Sequence, residues 1–175
     1  MIVVRPEAPE DEPAIREVHR QAFARPPFVP ADPPEVTLVD ELRACPASIP
    51  PLSLVALDDN RLVGHVMATR AAIGSQHHAA LGLGPLGVLP SHQRSGVGSA
   101  LMRALLSLAD DREEPVVVLL GAPGYYRRFG FALASTYGIT PPDPAWAPHF
   151  QARPGPTFSP SLRGAFTYAE PFDRV

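Results

Sequence analysis

The apolar positions of this chain recur sometimes at every second residue and sometimes at helical spacing, and the switches between the two predict its elements. Ile2-Val3-Val4 reads as a short strand that Pro6 to Pro9 carries into a turn. Asp11, Glu12 and Pro13 form an acidic, proline-bearing helix start. Ile15, Val18, Ala22 and Phe23 then supply one apolar stripe, which predicts a helix over 13–24. The proline-rich stretch Arg25 to Pro34 is a stiff loop, and residues 35–44 form a short second helix. Leu52 to Leu57 and Arg61 to Thr69 flank Asp58-Asp59-Asn60, the pattern of a hairpin of antiparallel strands. A polar turn, Gly74 to His78, precedes an apolar run that ends at Val88-Leu89-Pro90. From Gly96 onward Val97, Leu101, Ala104, Leu105 and Leu108 recur at helical spacing, and Pro115 stops the helix after a charged exit. Val116 to Leu120 is continuously apolar, as in strands covered on both faces, so the helix serves as a crossover between two parallel strands. Ile139 to Pro160 is a second proline-rich region of loops, and the alternation over Ala165 to Phe172 predicts a last strand that closes the sheet beside Tyr126.

With 175 residues the chain is expected to form one domain, 1–175, with a substantial core. The 23 prolines cluster in the two loop regions instead of interrupting every element. A net charge of -3 and the absence of an arginine-rich run beyond Arg127-Arg128 argue against a nucleic-acid partner. One cysteine, Cys45, excludes an intrachain disulfide and a CxxC pair, and reads as a small half-buried side chain. No signal-like start and no apolar run of membrane-spanning length are present, so a cytoplasmic protein with no membrane partner is expected. His77 and His78 sit on a turn with no third ligand in view, and no metal is expected.

The stretch that carries chemistry lies at the start of the crossover helix. Gln93-Arg94-Ser95-Gly96-Val97-Gly98 has the form Q-x-x-G-x-G. The first N–H groups of a helix have no intrahelical acceptor and carry the positive end of the macrodipole, so such a loop suits a phosphate held by main chain. Two other phosphate motifs fail here. Gly82-Leu83-Gly84-Pro85-Leu86-Gly87 satisfies G-x-G-x-x-G in letters, but the fingerprint needs a helix opening within the glycines, whereas Val88-Leu89 continue an extended run. These glycines are read as thinning the strand or permitting a bulge where another backbone or a ligand approaches. A Walker A loop requires lysine, and all 15 basic residues are arginine.

At the Gln93 loop the chain resembles the GCN5-related N-acetyltransferases (GNAT). Gly121-Ala122-Pro123-Gly124-Tyr125-Tyr126-Arg127-Arg128-Phe129-Gly130-Phe131 looks like the family's Y-x-x-F/L-G-F segment, with Tyr126 at the position of its tyrosine. Together with GPLGVLP and the closing FTYAEPF it resembles the YhbS-like branch, over Ile2 to Phe172. The resemblance implies an α/β GNAT fold: a mixed sheet of about six to seven strands with flanking helices, its parallel strands at 80–89 and 116–120 splayed apart. It implies acetyl-CoA as co-substrate, the pyrophosphate on Gln93, Arg94, Ser95, Gly96, Val97, Gly98 and Ser99. Pantetheine would insert between the splayed strands along Leu86, Gly87, Val88, Leu89, Gly121 and Tyr126, with the main-chain N–H of Val88 polarising the acyl carbonyl. Many members pair, so a homodimer is a mild expectation.

Direct acetyl transfer to an amine in a ternary complex needs an oxyanion donor, a base and an acid. A phenol, with a reference pKa of about 10 against roughly 8.5 for a thiol, suits the acid, so Tyr126 is the expected donor to the thiolate, with Tyr125 the alternative. The base is open: Leu81 to Pro90 contains no acidic residue, which leaves a water relay, a distant histidine or solvent, with Glu41, His65 and His92 as candidates. His65 itself is read as a satisfied strand residue. The acceptor, a small-molecule or protein amine, is expected between the Arg25 to Pro34 loop and the region of Trp146, His149 and Phe150. Asp32, Glu35, Asp40, Glu41 and Asp143 are the carboxylates that would attract a cation there. The competing readings are a non-enzymatic acyl-CoA-binding or sensing module, and transfer of a longer acyl group.

Overall fold

The computed structural model describes residues 1–175. β1 (Ile2–Pro6) leads into α1 (Glu12–Ala22) and α2 (Pro34–Ala44). β2 (Ser48–Asp58), β3 (Arg61–Ile73) and β4 (His78–Val88) follow as an antiparallel meander. Asp59 and Asn60 both take positive φ, 46° and 66°, the combination that a two-residue hairpin turn matched to the strand twist requires. α3 (Val97–Asp111) then crosses to β5 (Val116–Leu120), which pairs parallel with β4. Beyond it come the one-turn helix α4 (Pro123–Tyr126) and four short strands, β6 (Ala132–Leu133), β7 (Ile139–Thr140), β8 (Phe150–Pro154) and β9 (Gly164–Thr167). The nine-stranded mixed sheet follows the path β1-β2-β3-β4-β5-β8-β6, and β9, carrying β7, attaches to the far end of β3.

Alternation along the meander feeds two apolar layers. Leu54, Ala56, Val66 and Ala68 cluster with Leu101, Met102 and Leu105 of α3. Val55 and Met67, one residue out of phase, cluster with Ile15 of α1 and Leu38, Val39 and Leu42 of α2. The helices thus cover opposite faces, and the loops that join them to the sheet meet at the end of β4.

β4 and β5 stay together only at Leu81–Val117 and Gly82–Val118. Further on, Leu119 and Leu120 pair with Gln151 and Phe150 of β8, while β4 remains with β3 as far as Val88. The separation has a local cause. Val66 faces Leu86 but Ala68 faces Leu83, so β4 carries one extra residue around Gly84-Pro85. Gly84 stands at φ 144°, a conformation open to glycine, and Pro85 has no N–H for a ladder. The splay expected at these strands is therefore present, and the glycine run is part of a bulged strand.

Three boundaries differ from the sequence reading. β2 starts at Ser48, ahead of Leu52, because the ladder skips from Ser48 to Ser53 across Pro50-Pro51. The second proline-rich region is not all loop: β8 lies inside it, with Phe150, Gln151 and Ala152 buried between β5 and β6. The last strand ends at Thr167 and joins β3 and β7 instead of closing the sheet beside Tyr126; Tyr168, Phe172 and Val175, past its end, line the same cavity as Tyr126. No helix is long and apolar enough to cross a membrane.

Candidate active site

The loop before α3 is an anion cradle built from main chain. Arg94 at φ 60° and Gly96 at φ 91° are both left-handed, which curls the chain just ahead of the helix. The first helical bond runs from Ala100 N–H to Gly96 C=O at 2.9 Å, and none of the N–H groups from Arg94 to Ser99 finds an acceptor within the protein. A Cβ at Gly96 would meet nothing within 4 Å, so the bare loop faces open space. Gln93 plays a different part, since its amide donates to the Val88 carbonyl at 3.1 Å and so ties the loop to the end of β4. Val97 contributes its N–H but turns its side chain into the core. Around this cradle lies a cavity of about 600 Å³, lined by Gln93, Arg94, Gly96, Gly98, Ser99 and, from the α4 side, Tyr125 and Arg128. Two arginines and six undirected N–H groups suit an elongated anion such as a pyrophosphate.

The cavity continues along β4 to Leu86 and Val88. Leu89 N–H donates to Val63 C=O at 2.9 Å, which makes Val63 and Leu89 a hydrogen-bonded pair of the β3–β4 ladder. Such pairs alternate, so Gly87 also bonds back to His65, whereas Val88 opposite Gly64 and Leu86 opposite Val66 turn their N–H and C=O groups away from β3. That direction is the gap from which β5 has departed. Of the four neighbouring residues read as cofactor contacts, Leu86 thus turns both main-chain groups to the gap and Val88 its N–H, the Val88 carbonyl being taken by Gln93. Gly87 and Leu89 do not.

Tyr125 and Tyr126 leave β5 in different directions. The Tyr125 hydroxyl approaches the cradle, where a Cβ on Gly98 would come within 2.9 Å of it, and Arg128 lies over the Tyr125 ring at 4.6 Å. Tyr126 packs against the end of β5: a Cβ on Gly121 would stand only 2.4 Å from its ring. Gly121 bonds within the protein through both main-chain groups, its N–H to His149 and its C=O from Gln151, so its part is to seat Tyr126. Burial, with Tyr125 beside it, pushes the Tyr126 phenol up to about 12, and it keeps its proton throughout the neutral range.

On the other side of Leu86 and Phe23, which line both spaces, a second cavity of about 340 Å³ opens. Its wall is apolar and aromatic: Phe23, Leu38, Leu119, Tyr126, Trp146, Tyr168 and Phe172. Of the expected acceptor residues Trp146 is here, while Phe150 is buried in the sheet and Asp143 caps the following turn through Ala145 N–H. The acidic residues expected to draw a cation are already paired. Asp32 bonds Arg20, Asp40 bonds Arg16 and Arg43, Glu41 bonds Arg174, and Glu35 at the cavity wall bonds Arg25 at 3.0 Å.

Among the candidate bases, His92 sits near Asp58 at the outer edge and Glu41 lies at the paired surface. His65 is fully buried in β3 and belongs to a chain of groups that runs from Glu7 to His19 of α1. His19 and Leu38 were not singled out in the sequence. Phe23 entered through the helical stripe, Arg128 through the segment Gly121 to Phe131 and Tyr168 through FTYAEPF, none of them as a site residue.

A family model described as an acetyltransferase (GNAT) domain matches residues 3–134. The uncharacterised N-acetyltransferase YjhQ of Escherichia coli K12 is 35% identical over 123 residues, 69% of this chain and 64% of the relative, so the match spans less than two thirds of that protein. Among solved structures, YhbS of Escherichia coli in complex with CoA has a TM-score of 0.85 at 27% identity, covering 99% of this chain and 92% of that one. A GNAT family acetyltransferase from Brucella melitensis in complex with acetyl-CoA has a TM-score of 0.77 at 34% identity, covering 99% of each chain.

Proposed function

Since the chain belongs to the acetyltransferase (GNAT) family, we propose that it moves an acetyl group from acetyl-CoA directly to a primary amine in a ternary complex, as one domain over 1–175. The observation that carries this reading is the run of six N–H groups, Arg94 to Ser99, without an acceptor at the mouth of a gap that exposes the main chain of Leu86 and Val88. The complexes of similar proteins with CoA and acetyl-CoA support the same choice of donor.

In this reading the cradle and Arg94 hold the pyrophosphate, and Tyr125 with Arg128 closes over it. The N–H of Val88 donates to the acyl oxygen as it gains charge, and Tyr126 gives its proton to the departing thiolate. A phenol raised to about 12 keeps its proton throughout the neutral range, so it is available to donate when the thiolate forms beside it. The apolar cavity receives the acceptor. A space of about 340 Å³ lined by Phe23, Trp146, Tyr168 and Phe172 favours a small amine with an apolar or aromatic body. Its apolar lining favours the neutral, nucleophilic form of that amine.

Release of CoA thiol from acetyl-CoA, corrected for hydrolysis, across a panel of alkyl and aralkyl amines tests the reading. Phenethylamine is expected to outperform ethanolamine and polyamines, and Trp146→Ala is expected to raise its KM several-fold without changing acetyl-CoA binding. Binding of acetyl-CoA with no amine-dependent release would assign the chain to acyl-CoA sensing, the reading favoured by the lack of a carboxylate on β4.

A further inference from the structure

Proton uptake from the amine has no carboxylate on β4 to serve it, yet behind that strand the fold buries a continuous run of acid–base groups. Glu7 accepts a hydrogen bond from Arg43 Nε at 2.6 Å and another from the Ser53 hydroxyl. His65 Nε2 lies 3.0 Å from Glu7 Oε2, and His65 Nδ1 lies 2.8 Å from His19 Nε2. Both imidazoles are fully buried, and His19 Nδ1 has no partner. We propose that His19 Nδ1 takes up the proton released by the acceptor amine, with His65 and Glu7 as the positioning residues that orient it and share the charge. The proposal rests on the acetyltransferase reading above.

Donor and acceptor roles along the chain are fixed from the carboxylate outward. An ionised Glu7 only accepts, and Ser53, 2.9 Å from His65 Nε2, already gives its hydroxyl proton to Glu7, so His65 Nε2 donates and His65 Nδ1 is a bare acceptor. His19 Nε2 therefore donates to it, and His19 Nδ1 is left with a lone pair and no proton. A buried acceptor without a partner is rare in folded proteins and calls for a reason. The location supplies one. A Cβ on Gly87 would come within 2.8 Å of this same nitrogen, so any other residue would cover it. Gly87 stands between Leu86 and Val88, the two residues whose main chain is open to the gap. On the other side Phe23 stacks on the His19 ring, with centroids 5.7 Å apart and planes 11° apart, and Phe23 lines both cavities.

The step balances. The amine nitrogen bonds to the acyl carbon, the carbon–sulfur bond breaks, and its electron pair leaves on sulfur, which takes the Tyr126 proton. The ammonium proton passes to His19 Nδ1 through water, since the imidazole itself lines neither cavity. The Nε2 proton of His19 then shifts to His65 Nδ1, so that the imidazolium charge lies beside the ionised Glu7, and the proton returns to solvent by the same route once the product leaves. Tyr126 recovers a proton from solvent. The charged groups facing the pair are Glu7 and Asp11 from the β1–α1 connection, Arg43 from α2 and each other; β4 contributes none near Gly87. Burial chiefly, and Arg43 as well, pushes both imidazoles below the ordinary value, so both are neutral and able to accept at neutral pH.

The test compares wild type with His19→Gln, using acetyl-CoA and phenethylamine and measuring kcat against pH. His19→Gln is expected to lose about 10²-fold or more in kcat at neutral pH, with acetyl-CoA affinity unchanged, and to recover as pH rises and solvent base takes over. A His19→Gln enzyme with the kcat and pH profile of wild type would overturn the proposal. Absence of amine-dependent release from wild type itself would remove the acetyltransferase reading and the proposal with it. Imidazole nitrogen NMR of wild type gives a readout that needs neither turnover nor a variant. His19 is expected as the Nε2–H tautomer with an unprotonated Nδ1 at neutral pH, and an Nδ1–H tautomer would overturn the assignment.

Discussion

Tyr125 and Tyr126 are adjacent in sequence, yet their rings meet at 85° with centroids 4.9 Å apart, and each lines a different cavity. One turn of helix directs the first toward the anion cradle and the second toward the apolar space. Their substitutions should therefore separate. Tyr126→Phe is expected to lower kcat by about 10²-fold or more while leaving acetyl-CoA affinity intact. Tyr125→Ala is expected to weaken acetyl-CoA binding, as read by titration calorimetry. Equal turnover in Tyr126→Phe and wild type would remove the acid role.

Gly121 seats the Tyr126 ring, because an added Cβ would stand 2.4 Å from it. Gly121→Ala should displace the ring, reduce kcat about as much as Tyr126→Phe, and cost about 1–3 kcal/mol of stability through overpacking. Denaturant unfolding alongside the rate measurement checks both parts. An alanine variant with wild-type rate would show that the position of Tyr126 is not critical.

The buried Glu7–His65–His19 run predicts a pH dependence of stability. Burial pushes Glu7 up, but hydrogen bonds from His65, Arg43 and Ser53 outweigh it and hold the carboxyl at about 2. Both histidines are lowered as well. In each case the unfolded chain binds protons that the fold does not, so stability rises with pH in the affected windows. It should be complete above the unfolded histidine value of about 6.5, fall as pH drops below that, and fall again below the unfolded carboxyl value of about 4.3. His19→Gln should flatten the upper window and Glu7→Gln the lower. Urea midpoints at several pH values between about 7.5 and 2.5 measure this, and a constant wild-type midpoint would contradict it.

What the sequence made legible was local. The Gln93 to Gly98 loop, the strand before it and the amphipathic stripe of Val97 to Leu108 lie within one continuous segment, and the observed α3 starts at Val97 with Gly96 left-handed just before it. The parallel strand at Val116 to Leu120 was readable for the same reason, as an apolar run bounded by Pro115 and Gly121. β8 was hidden because prolines around Phe150 to Ala152 read as loop, while its burial depends on β5 and β6 lying on either side. His19 and His65 lie 46 positions apart and meet only because α1 packs on the sheet at Gly87. Nothing in either local pattern marks that pairing. The paired state of Asp32 and Glu41 was equally invisible, since their arginine partners lie on other elements; Asp40 has one partner of that kind, Arg16, and one in its own helix, Arg43.

The central claim is that the free N–H groups ahead of α3 hold the pyrophosphate of acetyl-CoA. Ser99 tests it most directly, because its N–H is one of the six, its side chain lines the cradle, and the first turn of α3 carries no acidic residue. A glutamate there suits the helix itself, adding about 0.3–1 kcal/mol through the dipole, but sets a negative charge where the anion would sit. Titration calorimetry of acetyl-CoA into wild type and Ser99→Glu, with thermal unfolding of both, is the measurement. The account predicts that Ser99→Glu is at least as stable as wild type and binds acetyl-CoA at least about tenfold more weakly, the loss of roughly one charge-assisted contact. Equal affinity in the two proteins would contradict it and place the cofactor elsewhere.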